Sequence, residues 1–99
     1  MNQNIYTIAE LTAKEGRLDD LKSVLEALAH ETRKESGAIE YFFIHDENHN
    51  PNTIVSYEKW ENVNEEGKHW KTKHLTHAME QLKDILEGKP VIHRDPKII

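Results

Sequence analysis

The sequence predicts one small α+β domain spanning residues 1–99, with its segments in the order β-α-β-β-α-β. Two helical stretches each carry a single apolar stripe, and they alternate with four short runs rich in β-branched and aromatic residues. Glycine, proline and asparagine clusters mark the boundaries. A third observation concerns assembly, because the middle strands are apolar on both faces.

The first strand is Ile5 to Leu11. After Gly16, Arg17 to Glu35 reads as a long helix, with Leu18, Leu21, Leu25, Leu28 and Thr32 on one stripe. Ser36-Gly37 stops it, with Gly37 suited to a left-handed closing position. Ile39 to His45 is the second strand and Thr53 to Trp60 the third. The turn residues Asp46 to Asn52 between them predict an antiparallel hairpin. Asn64 to Trp70 reads as a short helix. A longer one follows, on which Leu75, Ala78, Met79, Leu82, Ile85 and Leu86 share a stripe before Gly88 and Pro90 end it. Val91 to Pro96 is the last strand.

This order is the split βαβ arrangement of ferredoxin-like folds, a four-stranded antiparallel sheet with its helices on one face. A sheet covered on one side alternates between apolar and polar residues. Here Ile39, Tyr41 and Phe43 oppose Phe42 and Ile44, and Val55 and Tyr57 oppose Ile54 and Trp60. Something must cover the second face, and a second copy of the sheet is the economical answer. The expected assembly is a homodimer forming a dimeric α+β barrel.

Composition excludes several classes. Apolar residues make 36% and charged residues 31% of the chain, a modest core for its length. No apolar run approaches the roughly 20 residues that span a bilayer, and no signal-peptide pattern opens the chain. A cytoplasmic location is the default expectation. The absence of cysteine rules out disulfides and thiolate chemistry. A net charge of −5 with scattered lysines argues against nucleic acid.

Three segments carry a family resemblance. Glu35-Ser-Gly-Ala-Ile-Glu-Tyr41 looks like a Glu-Pro-Gly-x-x-x-Tyr motif. Asn50-Pro-Asn-Thr-Ile-Val-Ser-Tyr-Glu-Lys-Trp60 resembles Asp-Pro-Asn-x-Phe-x-x-Tyr-Glu-x-Trp, and His69-Trp-Lys-Thr-Lys-His74 resembles His-x-x-x-Pro-His. Together and in order they resemble the antibiotic-biosynthesis-monooxygenase family, and Ala9-Glu10-Leu11 looks like its quinol monooxygenase branch. Lys73 replaces the usual proline, and Trp70 a smaller residue. Ala9 and Met79 stand where heme-degrading relatives carry asparagine and histidine, so heme chemistry is not expected.

The resemblance implies a cofactor-free oxygenase of a quinol-like or hydroxylated aromatic, using no metal or flavin. Such chemistry needs a base, an apolar aromatic-lined pocket and groups that stabilise an anion. His69, at the family's histidine turn, is the first candidate base, because histidine exchanges protons near neutrality. His74, on the flank of the second stripe, and Glu58, on one face of the third strand with Ser56 and Trp60, are its candidate partners. Trp60, Tyr41, Ser56 and Trp70 are the candidate substrate-binding residues. Other readings are a hydrogen-bonded histidine that merely fixes the turn for His69, capping or packing for His74, an interface ion pair for Glu58, and plain packing for Trp60 and Tyr41.

His74 and His77 lie one turn apart, but no His-Glu-x-x-His motif accompanies them and no metal is expected. Two other functions fit the fold. Relatives that isomerise phosphorylated autoinducer-2 sugars have a stretch like Lys71-Thr72-Lys73-His74 and an ending like Leu86-Glu-Gly-Lys-Pro90. That reading requires Lys71, Lys73 or Arg94 to reach the cavity. A non-catalytic small-molecule-binding dimer is the third.

Overall fold

The computed structural model describes residues 3–99. It contains β1 (Ile5–Thr12), α1 (Leu18–Thr32), β2 (Ala38–His45), β3 (Thr53–Trp60), α2 (Val63–His69), α3 (Lys73–Leu82) and β4 (Val91–Asp95). The four strands form one antiparallel sheet in the order β2-β3-β1-β4, the ferredoxin-like arrangement. Among the described residues no helix is long and apolar enough to cross a membrane.

The period-two pattern decides which strand residues meet the helices. Leu11, Ile54 and Phe43 pack under Leu21, Leu25 and Leu28 of α1 and under Leu75, Ala78 and Leu82 of α3. A second cluster of Ile5, Ala29, Tyr41 and Trp60 lies beside it. On the other face, Phe42, Ile44 and Tyr57 are 42%, 47% and 38% exposed, and the Phe42 and Tyr57 rings stack at 5.6 Å. The second apolar face read from the sequence is therefore uncovered in the single chain.

Local corrections have identifiable causes. Ile39 does not share the inward face of Tyr41 and Phe43, because a register shift between Ala38 and Glu40 breaks the alternation and leaves it half exposed. The helix expected to run through Leu86 stops at Leu82. The chain then turns so that Leu86 bridges to Ala13 and the Lys14 N–H reaches the Ile85 carbonyl at 2.8 Å.

Gly37 is not left-handed; among the described residues that conformation belongs to Gly16, with φ of 81° before α1. What Gly37 provides is space, because a Cβ there would overlap the Cβ and Cγ of Glu65 on α2. Its carbonyl also accepts the Glu61 N–H at 2.9 Å, tying the end of α1 to the start of α2. Gly37→Ala is expected to cost about 1–3 kcal/mol, the usual range for overpacking. Denaturant unfolding of the variant measures it, and an unchanged midpoint would refute the close approach.

Two caps set up the site. Asn62 Oδ1 accepts the Glu65 N–H at 3.0 Å and starts α2. Thr72 Oγ1 donates to the last carbonyl of α2, that of His69, at 2.8 Å, and accepts the Leu75 N–H of α3 at 3.3 Å. One threonine thus closes one helix and opens the next, holding His69 and His74 on either side of a tight corner. Lys73 occupies the first helical position of α3, where the backbone N–H has no intrahelical partner. Proline suits that position, and lysine replaces it without losing a hydrogen bond.

Candidate active site

A cavity of about 50 Å³ lies between the sheet and the helices, and Tyr41, Phe43, Ser56, Glu58, His69 and Trp70 are among its walls. Five of the seven candidate residues thus line one space. His74 is drawn in from behind through a carboxylate. Trp60 is fully buried and does not line the cavity. It backs His69 instead, with ring centroids 4.7 Å apart.

His69 is buried at the end of α2, with the Tyr41 ring edge-on at 5.6 Å and the Trp70 ring at 6.3 Å. Its Nδ1 lies 2.8 Å from Glu35 Oε2, and His74 Nε2 lies 2.6 Å from the same oxygen. A carboxylate accepts, so it holds the hydrogen of His69 on Nδ1 and turns the Nε2 lone pair away from Glu35. No buried side-chain polar atom among the described residues lacks a partner. Nε2, which makes no hydrogen bond, is therefore not sealed in protein. Burial lowers the His69 pKa, and the hydrogen bond to Glu35 works against that shift. The ring is thus kept neutral, as a base must be.

Glu58 is the second titratable wall. Ser56 Oγ donates to Glu58 Oε2 at 2.7 Å, and Trp60 Nε1 donates to Oε1 at 3.0 Å. The Ser56 oxygen in turn accepts the Ala9 N–H at 3.0 Å, so the chain of bonds is anchored on β1. Burial raises the Glu58 pKa to about 7 despite these two donors. The Tyr41 phenol is pushed far above its ordinary value, first by burial and then by the Glu58 charge, so it serves as a neutral wall.

Two carboxylates escaped the sequence reading. Glu35 orients both histidines, and it had a signal, since it opens the first family-like segment. Glu66 had none, and it is 1% exposed. It accepts from Trp70 Nε1 at 2.7 Å, Arg94 Nη2 at 2.7 Å and Thr7 Oγ1 at 3.2 Å. With the Arg94 guanidinium also 5.4 Å from its ring centroid, the Trp70 indole is clamped against the cavity. Nothing local in the sequence announces that clamp.

Lys71 and Lys73 are exposed, the Arg94 guanidinium is held by Glu66, and none of the three lines the cavity. The isomerase reading lacks its phosphate cation there. Ala9 and Met79 both face the cavity, which therefore receives no amide or imidazole at the heme-linked positions. Among the described residues, Glu35, His69 and His74 bring ligand atoms within 4.8 Å of one another, close enough to hold a metal ion. His77, weighed with His74 in the sequence, is exposed and outside that group.

A ferredoxin-like α+β sheet with a histidine-carboxylate cavity under its helices defines the class. The family model for antibiotic biosynthesis monooxygenase matches residues 4–81, and the chain belongs to that family. A search of the curated proteins finds no match. Solved structures share the fold. A Pseudomonas aeruginosa protein is 23% identical with a TM-score of 0.89, covering 100% of this chain and 98% of its own. A conserved Methanosarcina mazei protein is 22% identical at a TM-score of 0.91, with 97% and 94% covered. A structure described as an antibiotic biosynthesis monooxygenase is 19% identical at 0.87, with 96% and 99% covered.

Proposed function

We propose that this protein is a cofactor-independent monooxygenase of a quinol-like or hydroxylated aromatic, using His69 as base. The observation that carries the reading is the Glu35–His69 pair, in which Nδ1 is held and Nε2 makes no hydrogen bond, on a ring that lines a mainly apolar cavity. Nε2 takes the hydroxyl proton and leaves an electron-rich arenolate. That anion reduces dioxygen, one oxygen atom replacing a ring hydrogen and the other leaving as water. The substrate supplies all four electrons and becomes a quinone, so no metal or flavin enters the balance. Glu58, poised near neutrality, accepts or returns the second proton.

The cavity at about 50 Å³ holds a few waters, whereas small-molecule sites usually enclose about 300–1,000 Å³. Substrate entry therefore requires its wall to move. The 38% exposed Met79 is the lining side chain placed to do so, Trp70 being clamped by Glu66 and Arg94. Oxygen uptake by chelator-treated protein across a panel of quinols and naphthols tests the reading. No protein-dependent uptake on any of them would sink it.

The working unit in this reading is a homodimer formed through the outer sheet face of Phe42, Ile44 and Tyr57. An uncovered apolar patch of this kind marks an interaction surface, and a twofold copy of the same sheet matches it. Light scattering is expected to give the mass of two chains at micromolar concentration. Phe42→Asp should shift it to one chain with unchanged far-UV circular dichroism. A monomeric wild type would refute the dimer.

A further inference from the structure

The donor set at Glu35, His69 and His74 reaches beyond hydrogen bonding. We propose that these three side chains bind a divalent first-row transition-metal ion such as Zn²⁺, and that the ion inverts the His69 tautomer. Binding stands on the donor geometry alone. Only its effect on turnover rests on the oxygenase reading, which itself needs no metal.

Three separate segments deliver the donors. Glu35 lies in the turn after α1, His69 ends α2, and His74 is the second residue of α3. The two imidazole nitrogens and one carboxylate oxygen all lie within 4.8 Å of one another. Ligand bonds of about 2.0–2.2 Å in a tetrahedral site put neighbouring donors roughly 3.3 Å apart. The present N···O separations of 2.8 and 2.6 Å need to open by a fraction of an ångström, while the two imidazole nitrogens, within 4.8 Å of each other, close toward the same spacing.

Glu35 and His74 have the freedom for this, with side chains 16% and 23% exposed, while His69 forms the buried floor. An ion can therefore arrive from the surface, and water can complete its shell on the open side. Two imidazoles and one carboxylate favour zinc, copper, nickel, cobalt or iron over magnesium and calcium, which prefer all-oxygen shells.

The consequence for the cavity follows from the single hydrogen on a neutral imidazole. A metal on Nδ1 uses that nitrogen's lone pair, so the Nδ1 hydrogen is released and one is taken up at Nε2. His74 exchanges its hydrogen from Nε2 to Nδ1 in the same way, and no net proton or electron is transferred. The face of His69 turned away from Glu35 then donates instead of accepting. Transition-metal ions would thus switch off the base without touching the substrate cavity.

The test titrates chelator-treated protein with Co²⁺, followed by its visible absorption, with Zn²⁺ competing. One ion per chain with an intense tetrahedral-type spectrum is expected. Glu35→Gln and His74→Ala should each weaken it by at least about tenfold. His77→Ala, which removes the neighbouring exposed imidazole, should leave it unchanged, and thermal melts check that all variants fold. No saturable Co²⁺ spectrum, or binding that survives both Glu35→Gln and His74→Ala, would overturn the site. Oxygen uptake is read separately. If it is absent, the spectrum still decides on the metal; if it is present but insensitive to bound Zn²⁺, the tautomer switch is wrong.

Discussion

His69→Ala is expected to lower kcat for a hydroxylated arene by roughly 10²–10⁴-fold, the usual contribution of a positioned general base. KM should change less, because the aromatic walls Tyr41, Phe43 and Trp70 remain. Glu35→Gln keeps the shape of the carboxylate but gives Nδ1 a neutral acceptor, and its loss should fall between wild type and His69→Ala. Because the His69 ring packs against Trp60 and Tyr41, the variant's melting temperature is measured alongside. A well-folded His69→Ala enzyme with wild-type turnover would remove His69 from the chemistry and leave Glu58 as the base.

The second large effect is on stability. The folded-state pKa of Glu58 is raised from 4.5 to about 7, so the fold favours its protonated form. Its favourable contribution is complete below pH 4.5 and is lost as the pH rises through about 7. Integrated over that window, ionising Glu58 costs the fold roughly 3 kcal/mol at pH 8. Burial depresses the His69 pKa and so contributes in the opposite direction, costing stability as the pH falls below its ordinary value. Comparing Glu58→Gln with wild type isolates the glutamate. The variant should be more stable at pH 8, and the two curves should converge toward pH 4.5. A variant less stable at pH 8 would mean that the carboxylate is already compensated.

The fold was legible because its signals are local. Stripes such as Leu21–Leu25–Leu28 and Leu75–Ala78–Leu82 are read directly from helical spacing, and both meet the sheet's inner face. The uncovered outer face followed from residues such as Phe42 and Tyr57 falling out of a one-sided pattern. What failed locally was backbone detail. Ile39 sits at a register shift, which periodicity cannot foresee, and Gly37 serves a contact with Glu65 rather than a dihedral angle.

The site was legible only in part. His69, Glu58 and Tyr41 were singled out by motif and strand face, and they line the cavity. Glu35 and Glu66 were missed because a glutamate in a polar stretch reads as solvated. Their burial depends on partners far along the chain, Glu35 meeting His74 39 residues away and Glu66 meeting Thr7 59 residues away. A carboxylate becomes a site residue only when the tertiary structure brings it donors.

The most direct measurement turns over a reactive quinol or naphthol with metal-free wild-type protein under ¹⁸O₂ and weighs the product. A monooxygenase of this kind places one ¹⁸O atom in the quinone, with an equal amount of labelled water and no requirement for added metal or flavin. A quinone without ¹⁸O, with hydrogen peroxide accumulating in its place, would contradict oxygen insertion and reduce the protein to an oxidase or a binding protein.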